Sequence, residues 1–206
     1  FPLKLTDEEK KDYRPFLFQA KGEEQASNLI DIQAMRMYEG WGAKLLFQRT
    51  IEITVPRAER ALRLAEGIRN SAKDAAARKQ WDMTAKRIQA LIYLLQSADN
   101  MVDYQAQLDR VNEIKPKIEP NAVLGVQSTW DRTDLMETAR REIDTMVALE
   151  KLLASTNEPI LVQAATPAAE SQRLLGPNLR AQIRHKIETM NKHWRDYDQL
   201  FTIPNP

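Results

Sequence analysis

The chain has 206 residues, 43% hydrophobic and 29% charged, a composition typical of a soluble globular protein long enough to bury its own core. Its 30 basic and 29 acidic side chains give a formal net charge of +1, which argues against a general nucleic-acid binder, because such binding rests on clustered Lys and Arg. The absence of cysteine excludes disulfides, thiolate metal sites and cysteine nucleophiles, and no apolar run approaches the ~20 residues of a transmembrane segment.

The start of the chain bears on its organisation. The sequence begins at Phe1 rather than at Met and carries no signal peptide. We therefore expect one helical domain over residues 1–206 that is a fragment or module of a longer chain. A chain without cysteine fits a reducing or an oxidising compartment equally, so the sequence predicts no localisation.

The N-terminal part predicts a short helix followed by a long one. Thr6 to Glu9 has the form of a capping box, and Pro15 should end that first helix near Arg14. A long helix is then expected from Glu23. The segment Gly40-Trp41-Gly42 interrupts it, which predicts either close helix packing or room for a ligand beside the Trp41 indole, with Tyr38 flanking.

The next segment is ambiguous between strand and helix. Ile51, Ile53 and Val55 alternate as in a strand, but no second strand is available to pair with them, so a continuing helix is preferred. Pro56 is expected to break this helix and to lie in the first turn of the next one. That next helix carries a narrow stripe of small residues, which predicts close packing.

A long central helix over about 76–114 organises the predicted fold, with Asp74 as its N-cap. It has two apolar faces, which is typical of a helix buried between neighbours. The first face comprises Trp81, Thr84, Ile88, Leu91, Ile92, Leu95, Ala98, Val102 and Ala106, and the second comprises Tyr93, Leu94, Met101, Tyr104, Leu108 and Val111. Asp99 falls within the first face, where it needs a cation, several donors or a raised pKa.

The C-terminal half predicts two more helices. Residues 115–130 read as a loop, and Asp131 is the expected N-cap of a helix that ends near Ser155. Residues 157–176 form a long irregular connection whose apolar run, Ile160-Leu161-Val162, either packs across the bundle or forms a contact surface. The last helix opens at Gly176-Pro177. The prediction is an all-α bundle of about five main helices around the central one.

The sequence lacks most of the motifs that indicate metal binding, phosphate binding or catalysis. His185 and His193 do not share one helical face, and neither belongs to a Glu-x-x-His pattern, so no metal site is predicted. There is no glycine-rich phosphate loop and no nucleophile elbow, so no cofactor is predicted. Asp99 and Asp103 lie one turn apart and could in principle serve glycoside hydrolysis, although such spacing is usual for a solvated face.

Three hypotheses for function remain. The first is a non-enzymatic structural or interaction domain that binds another domain or protein. Its expected contact residues are Ile160, Leu161, Val162, Arg184 and Lys192. The second is a ligand- or carbohydrate-binding accessory domain of a carbohydrate-active protein, which binds through Asp99, Trp41, Trp130 and Tyr38. The third is an enzyme that uses buried carboxylates.

Overall fold

The computed structural model describes residues 37–114, 126–161 and 179–194. Within these ranges it contains four helices: α1 (Met37–Ser71), α2 (Ala75–Ile114), α3 (Val126–Ala154) and α4 (Leu179–Lys192). No strand occurs in the described ranges, so the all-α class is confirmed there. The helices expected before Met37 lie outside the described residues, and the arrangement of five helices around a central one therefore stays a prediction. None of the described helices combines the length and the apolarity needed to cross a membrane.

Helix α1 continues through Pro56, and the predicted break at this residue is wrong. A proline inside a helix removes one backbone hydrogen bond and costs about 3 kcal/mol. Pro56 lies on the exposed side of α1, while α1 packs along α2 both before and after it. Packing on the opposite side thus holds the helix together across the proline. The preference for helix over strand at Ile51 to Val55 is confirmed.

A short turn joins α1 to α2, as predicted. The Asp74 carboxylate Oδ2 accepts a hydrogen bond from the Ala77 backbone N–H at 2.9 Å, which confirms Asp74 as the N-cap. The Arg69 guanidinium lies 3.2 Å from the Asp82 carboxylate across the turn. The two helices are consequently held antiparallel from the turn onward.

Helix α2 packs against α1 and also against α3, which explains its two apolar faces. Ala90, with Tyr93 and Leu94 beside it, belongs to a cluster with α3, whereas Ile92 and Val102 are buried on the other apolar face. The helical spacing predicts Leu91 on the first apolar face, yet its side chain is 47% exposed. It lies on the side of α2 that neither α1 nor α3 covers.

Helix α3 begins at Val126, earlier than predicted. Trp130 and Asp131 therefore lie inside the helix, and Asp131 is not its N-cap. No glycine or proline stands between Gly125 and Asp131, so nothing in the chain stops the helix from starting earlier. The predicted end near Ser155 is confirmed, because α3 ends at Ala154.

The core between α2, α3 and α4 consists of two hydrophobic clusters. The buried members of the first are Ala90, Met146, Leu149, Ile160 and Ile183. Those of the second are Tyr104, Leu135, Ala139, Ile143 and Met190. Ile160 lies just after α3 and folds back into the first cluster, with Leu161 packed against it.

Two leucine truncations test this packing. Leu149 is fully buried, so Leu149→Ala should lower the free energy of unfolding by about 2–5 kcal/mol through lost burial and a residual cavity. Leu91→Ala removes the same atoms from a half-exposed position and should cost less than about 1 kcal/mol. Urea unfolding followed by circular dichroism measures both, and equal losses would contradict the described packing.

Candidate functional site: a buried charge network

Polar side chains run along α2 between its apolar faces. Ser97, Asn100, Asp103 and Gln107 follow one another at intervals of three or four residues and therefore share one side of the helix. Ser97, Asn100 and Asp103 are each less than 10% exposed. A row of buried polar groups is stable only where its members find hydrogen-bond partners.

Glu142 of α3 is the centre of the first polar group. Its carboxylate is 4% exposed and forms an ion pair with the ammonium of Lys186 on α4, which is 3% exposed. The Ser97 hydroxyl donates to Glu142 Oε1 at 2.6 Å, and the Asn100 amide donates to Oε2 at 3.1 Å. Three donors from two other helices thus meet one carboxylate.

Asp103 of α2 is the centre of the second polar group. Its Oδ1 forms an ion pair with Lys44 of α1, and its Oδ2 lies 2.7 Å from Nη2 of Arg141 on α3. The Thr138 hydroxyl donates to Oδ2 at 3.3 Å and itself accepts from the Gln107 amide at 3.1 Å. Asp103 is therefore neutralised by two cations from two helices.

Asp99 lies one turn before Asp103, but the ion pairs that Lys44 and Arg141 form are with Asp103. Its Oδ1 is buried and has no hydrogen-bond partner among the described residues. Burial raises the pKa of Asp99 above its usual range, and the nearby charge of Asp103 raises it further. The positive charges of Arg141 and Lys44 oppose this rise only in part. A carboxylate within an apolar face needs a cation, several hydrogen-bond donors or a raised pKa, and Asp99 has the raised pKa.

The two polar groups link all four described helices. Lys44 comes from α1, Asp103 and Asn100 from α2, Glu142 from α3 and Lys186 from α4. Removing ions from water costs several kcal/mol each, and that cost is offset only where the geometry and the added hydrogen bonds are good. Such a network favours one alignment of the helices over others, because a shifted helix would leave a buried charge unpaired.

The remaining candidate residues are not brought together into one described site. Tyr38 and Trp41 lie in α1 and Trp130 lies in α3, but their side chains are not among those described. Of the expected contact residues, Ile160 is 4% exposed and Leu161 packs beside it, so these two pack across the bundle. Val162 lies outside the described residues.

The basic flank of α4 is partly compensated. The Arg184 and Arg180 guanidinia approach the same oxygen of Glu150, at 3.3 Å and 2.7 Å. Lys192 is exposed at the end of the helix. His193 is buried just after it, and its backbone N–H donates to the Thr189 carbonyl at 3.0 Å. Among the described side chains, no group of three or more His, Asp or Glu is placed to hold a metal ion.

Sequence reasoning missed the buried ion pair between Glu142 and Lys186. Lys186 stands three residues after Ile183 and four before Met190, within the apolar stripe of α4, and this position was the available signal of a buried cation. Glu142 follows Ala139 and precedes Met146 in the same way on α3. The periodicity could have flagged both residues, but it could not have paired them, because pairing depends on how the helices pack.

The Lys186 ion pair can be tested against an exposed pair. Lys186→Met leaves a buried, unpaired carboxylate at Glu142 and should lower the free energy of unfolding by about 3–5 kcal/mol. Adding Glu142→Gln removes that charge and should recover a large part of the loss. The matched control, Arg180→Met, breaks a pair whose arginine is 45% exposed and should cost less than about 1 kcal/mol. Additive losses in the double variant would contradict the pairing.

The stability effect of Asp99 should depend on pH. Because its folded-state pKa is raised, its contribution to stability is fully present below the unfolded value of about 3.9 and is lost as pH rises through the folded pKa. Asp99→Asn cannot ionise, so it should be more stable than the natural chain at neutral pH, with a gap in Tm that shrinks toward about pH 4. Asp134→Asn, at an exposed acid, is the control and should show no such trend. A gap that grows on acidification would refute the raised pKa.

Comparisons with protein-family models, with curated proteins and with solved structures give no match for this chain. No relative therefore transfers an activity, a substrate or a partner to it.

Proposed function

We propose that this chain is a non-enzymatic helical domain that contacts another domain or protein, as an accessory module of a larger protein. The observation that carries the proposal is the internal neutralisation of the two best-placed carboxylates. Glu142 and Asp103 each meet three side chains of the same chain. A general acid, base or nucleophile must reach a substrate, and these contacts occupy the oxygens that would do so.

The outer side of α1 supports a contact role. Ile53, Leu64 and Ile68 are 50%, 61% and 42% exposed, whereas Ile160 and Leu161 are packed inside. Large aliphatic side chains gathered on one exposed face are typical of interaction surfaces, while scattered ones are not. The proposed contact surface is accordingly this face of α1 rather than the connection after α3.

Ligand binding, for example of a carbohydrate, is the second candidate, and the state of Asp99 favours it. A buried carboxyl oxygen without a partner has a hydrogen-bonding position to offer, and a raised pKa is common in binding and catalytic sites. Tyr38 and Trp41 lie within two turns of Lys44 on α1, which pairs with Asp103 one turn from Asp99. The enzyme alternative rests on Asp99 and Asp103 alone and ranks third.

Site-specific photo-crosslinking tests the contact proposal. A photoreactive amino acid placed at Leu64, in the cells that make the protein, should give a discrete adduct that mass spectrometry identifies as a protein. The same amino acid at Lys151, an exposed position on α3, is the control and should not give that adduct.

Identical adducts from both positions, or no adduct from Leu64, would count against a contact role for α1. Glycan-array binding by the natural chain that is lost in Asp99→Asn would instead favour the ligand-binding candidate.

A further inference from the structure

Three of the four large aliphatic side chains that are exposed on the described part of α1 form one stripe, and the fourth, Leu45, lies about 80° from Ile53 around the helix. At 100° per residue, Ile53 and Leu64 lie about 20° apart around the helix, and Ile68 lies about 40° further on. Leu91 is the exposed aliphatic residue of α2 nearest to them in the hairpin. These four residues are named here the outer surface of the hairpin.

Two ion pairs locate this surface. Arg69 with Asp82 aligns α1 and α2 near the turn, and Lys44 with Asp103 aligns them far from it. All four residues of the outer surface lie between these pairs along the hairpin. Because the helices run antiparallel, helical projection places Leu91 and the α1 stripe on the same side, away from the face of α2 that packs on α3.

Exposed arginines accompany this stripe along α1, and Arg49, Arg57 and Arg60 lie within about 40° of its nearest member around the helix. Arg49, Arg57, Arg60 and Arg63 are exposed on α1, where Glu52 is the one exposed acid of the described side chains. None of the four arginines forms an ion pair within the described part of the chain. Arg87, also exposed, precedes Leu91 by one turn. Unlike Arg180 and Arg184, which share Glu150, these guanidinia are available to a partner.

The charge pattern distinguishes between three partners that could bind this surface: a second copy of the chain, a membrane and another protein. A second copy docked through the same face would bring four arginines of each chain together, which is unfavourable. A membrane-bound helix keeps its apolar face contiguous and its cations apart from it. Here Arg57 lies between Leu64 and Ile68, about 20° from each around the helix. Interleaved arginine and aliphatic side chains suit a protein surface that alternates acidic and apolar residues.

We propose that the outer surface of the hairpin docks an acidic amphipathic helix of a partner protein, an inference that rests on the contact function proposed above. The apolar side of that helix would lie against Leu64, Ile68 and Leu91 on the outer surface of the hairpin. Its Asp and Glu side chains would meet Arg57 and Arg60, since arginine binds carboxylates in a bidentate manner. In this mode of recognition an amphipathic helix binds through its apolar face, and the arginines beside the aliphatic stripe bind its acidic side chains.

A designed peptide serves as the probe. It is a helix-forming peptide of about 20 residues with leucine at positions i, i+4, i+7 and i+11 and glutamate on both flanks. A second peptide has the same composition in scrambled order. Binding of each to the full chain is measured by fluorescence anisotropy at low and at high salt. Sedimentation with vesicles of phosphatidylglycerol and phosphatidylcholine provides a separate arm for an anionic bilayer.

The amphipathic peptide should bind the natural chain, and the scrambled one should bind about tenfold more weakly or worse. Arg57→Glu with Arg60→Glu, and separately Leu64→Ser, should each weaken binding by about tenfold or more. The control, Lys73→Glu with Lys151→Glu, changes the net charge equally at exposed positions outside the surface and should leave binding unchanged. Circular dichroism of each variant confirms that these exposed substitutions leave the fold intact.

Three results would overturn the inference: equal binding of the two peptides, binding that survives all of the surface variants, or vesicle binding that requires Arg57 while the peptide does not bind. A protein crosslinked at Leu64 that lacks an acidic helix would also overturn it, yet would leave the contact function standing. No crosslink from Leu64 removes the contact function itself, whatever the peptide does.

Discussion

The ion pair between Glu142 and Lys186 is the constraint on which the described structure most depends. Both side chains are less than 5% exposed, so each would be costly to bury without the other. The pair joins α3 to α4, and through Ser97 and Asn100 the same carboxylate is joined to α2. Apolar packing alone would tolerate small rotations of these helices. We infer that the ion pair selects one alignment among the many that hydrophobic contact permits.

We propose that the function of this domain resides on its exterior. Charged groups inside the domain form ion pairs with one another: Asp103 pairs with Lys44 and Arg141, and Glu142 pairs with Lys186. Asp99 differs, because burial and then the charge of Asp103 raise its pKa above the usual range. We propose that recognition uses the exposed aliphatic side chains of α1 and those of its exposed arginines that form no ion pair with described residues.

Helical periodicity predicted the all-α class, the bounds of α2 and the N-cap at Asp74, because these depend on local hydrogen bonding and on apolar spacing. It failed at Pro56, where packing against α2 outweighs a local helix breaker, and at Asp131, where a good capping residue is not used. It placed Asp99 within an apolar face of the central helix, but it did not identify the partners of Asp103. Those partners come from helices distant in sequence, and their meeting depends on packing that no single helix specifies.

Nitrogen-15 NMR of the lysine side-chain ammonium groups tests the central claim most directly. A buried, ion-paired ammonium exchanges its protons slowly with water, whereas an exposed one exchanges too fast to be seen near neutral pH. Because Lys186 is buried and paired with Glu142, we predict a slowly exchanging ammonium signal from Lys186 and no such signal from exposed Lys151. Exchange at Lys186 as fast as at Lys151 would show that the ammonium is in water. The buried network would then not be the constraint that aligns the helices.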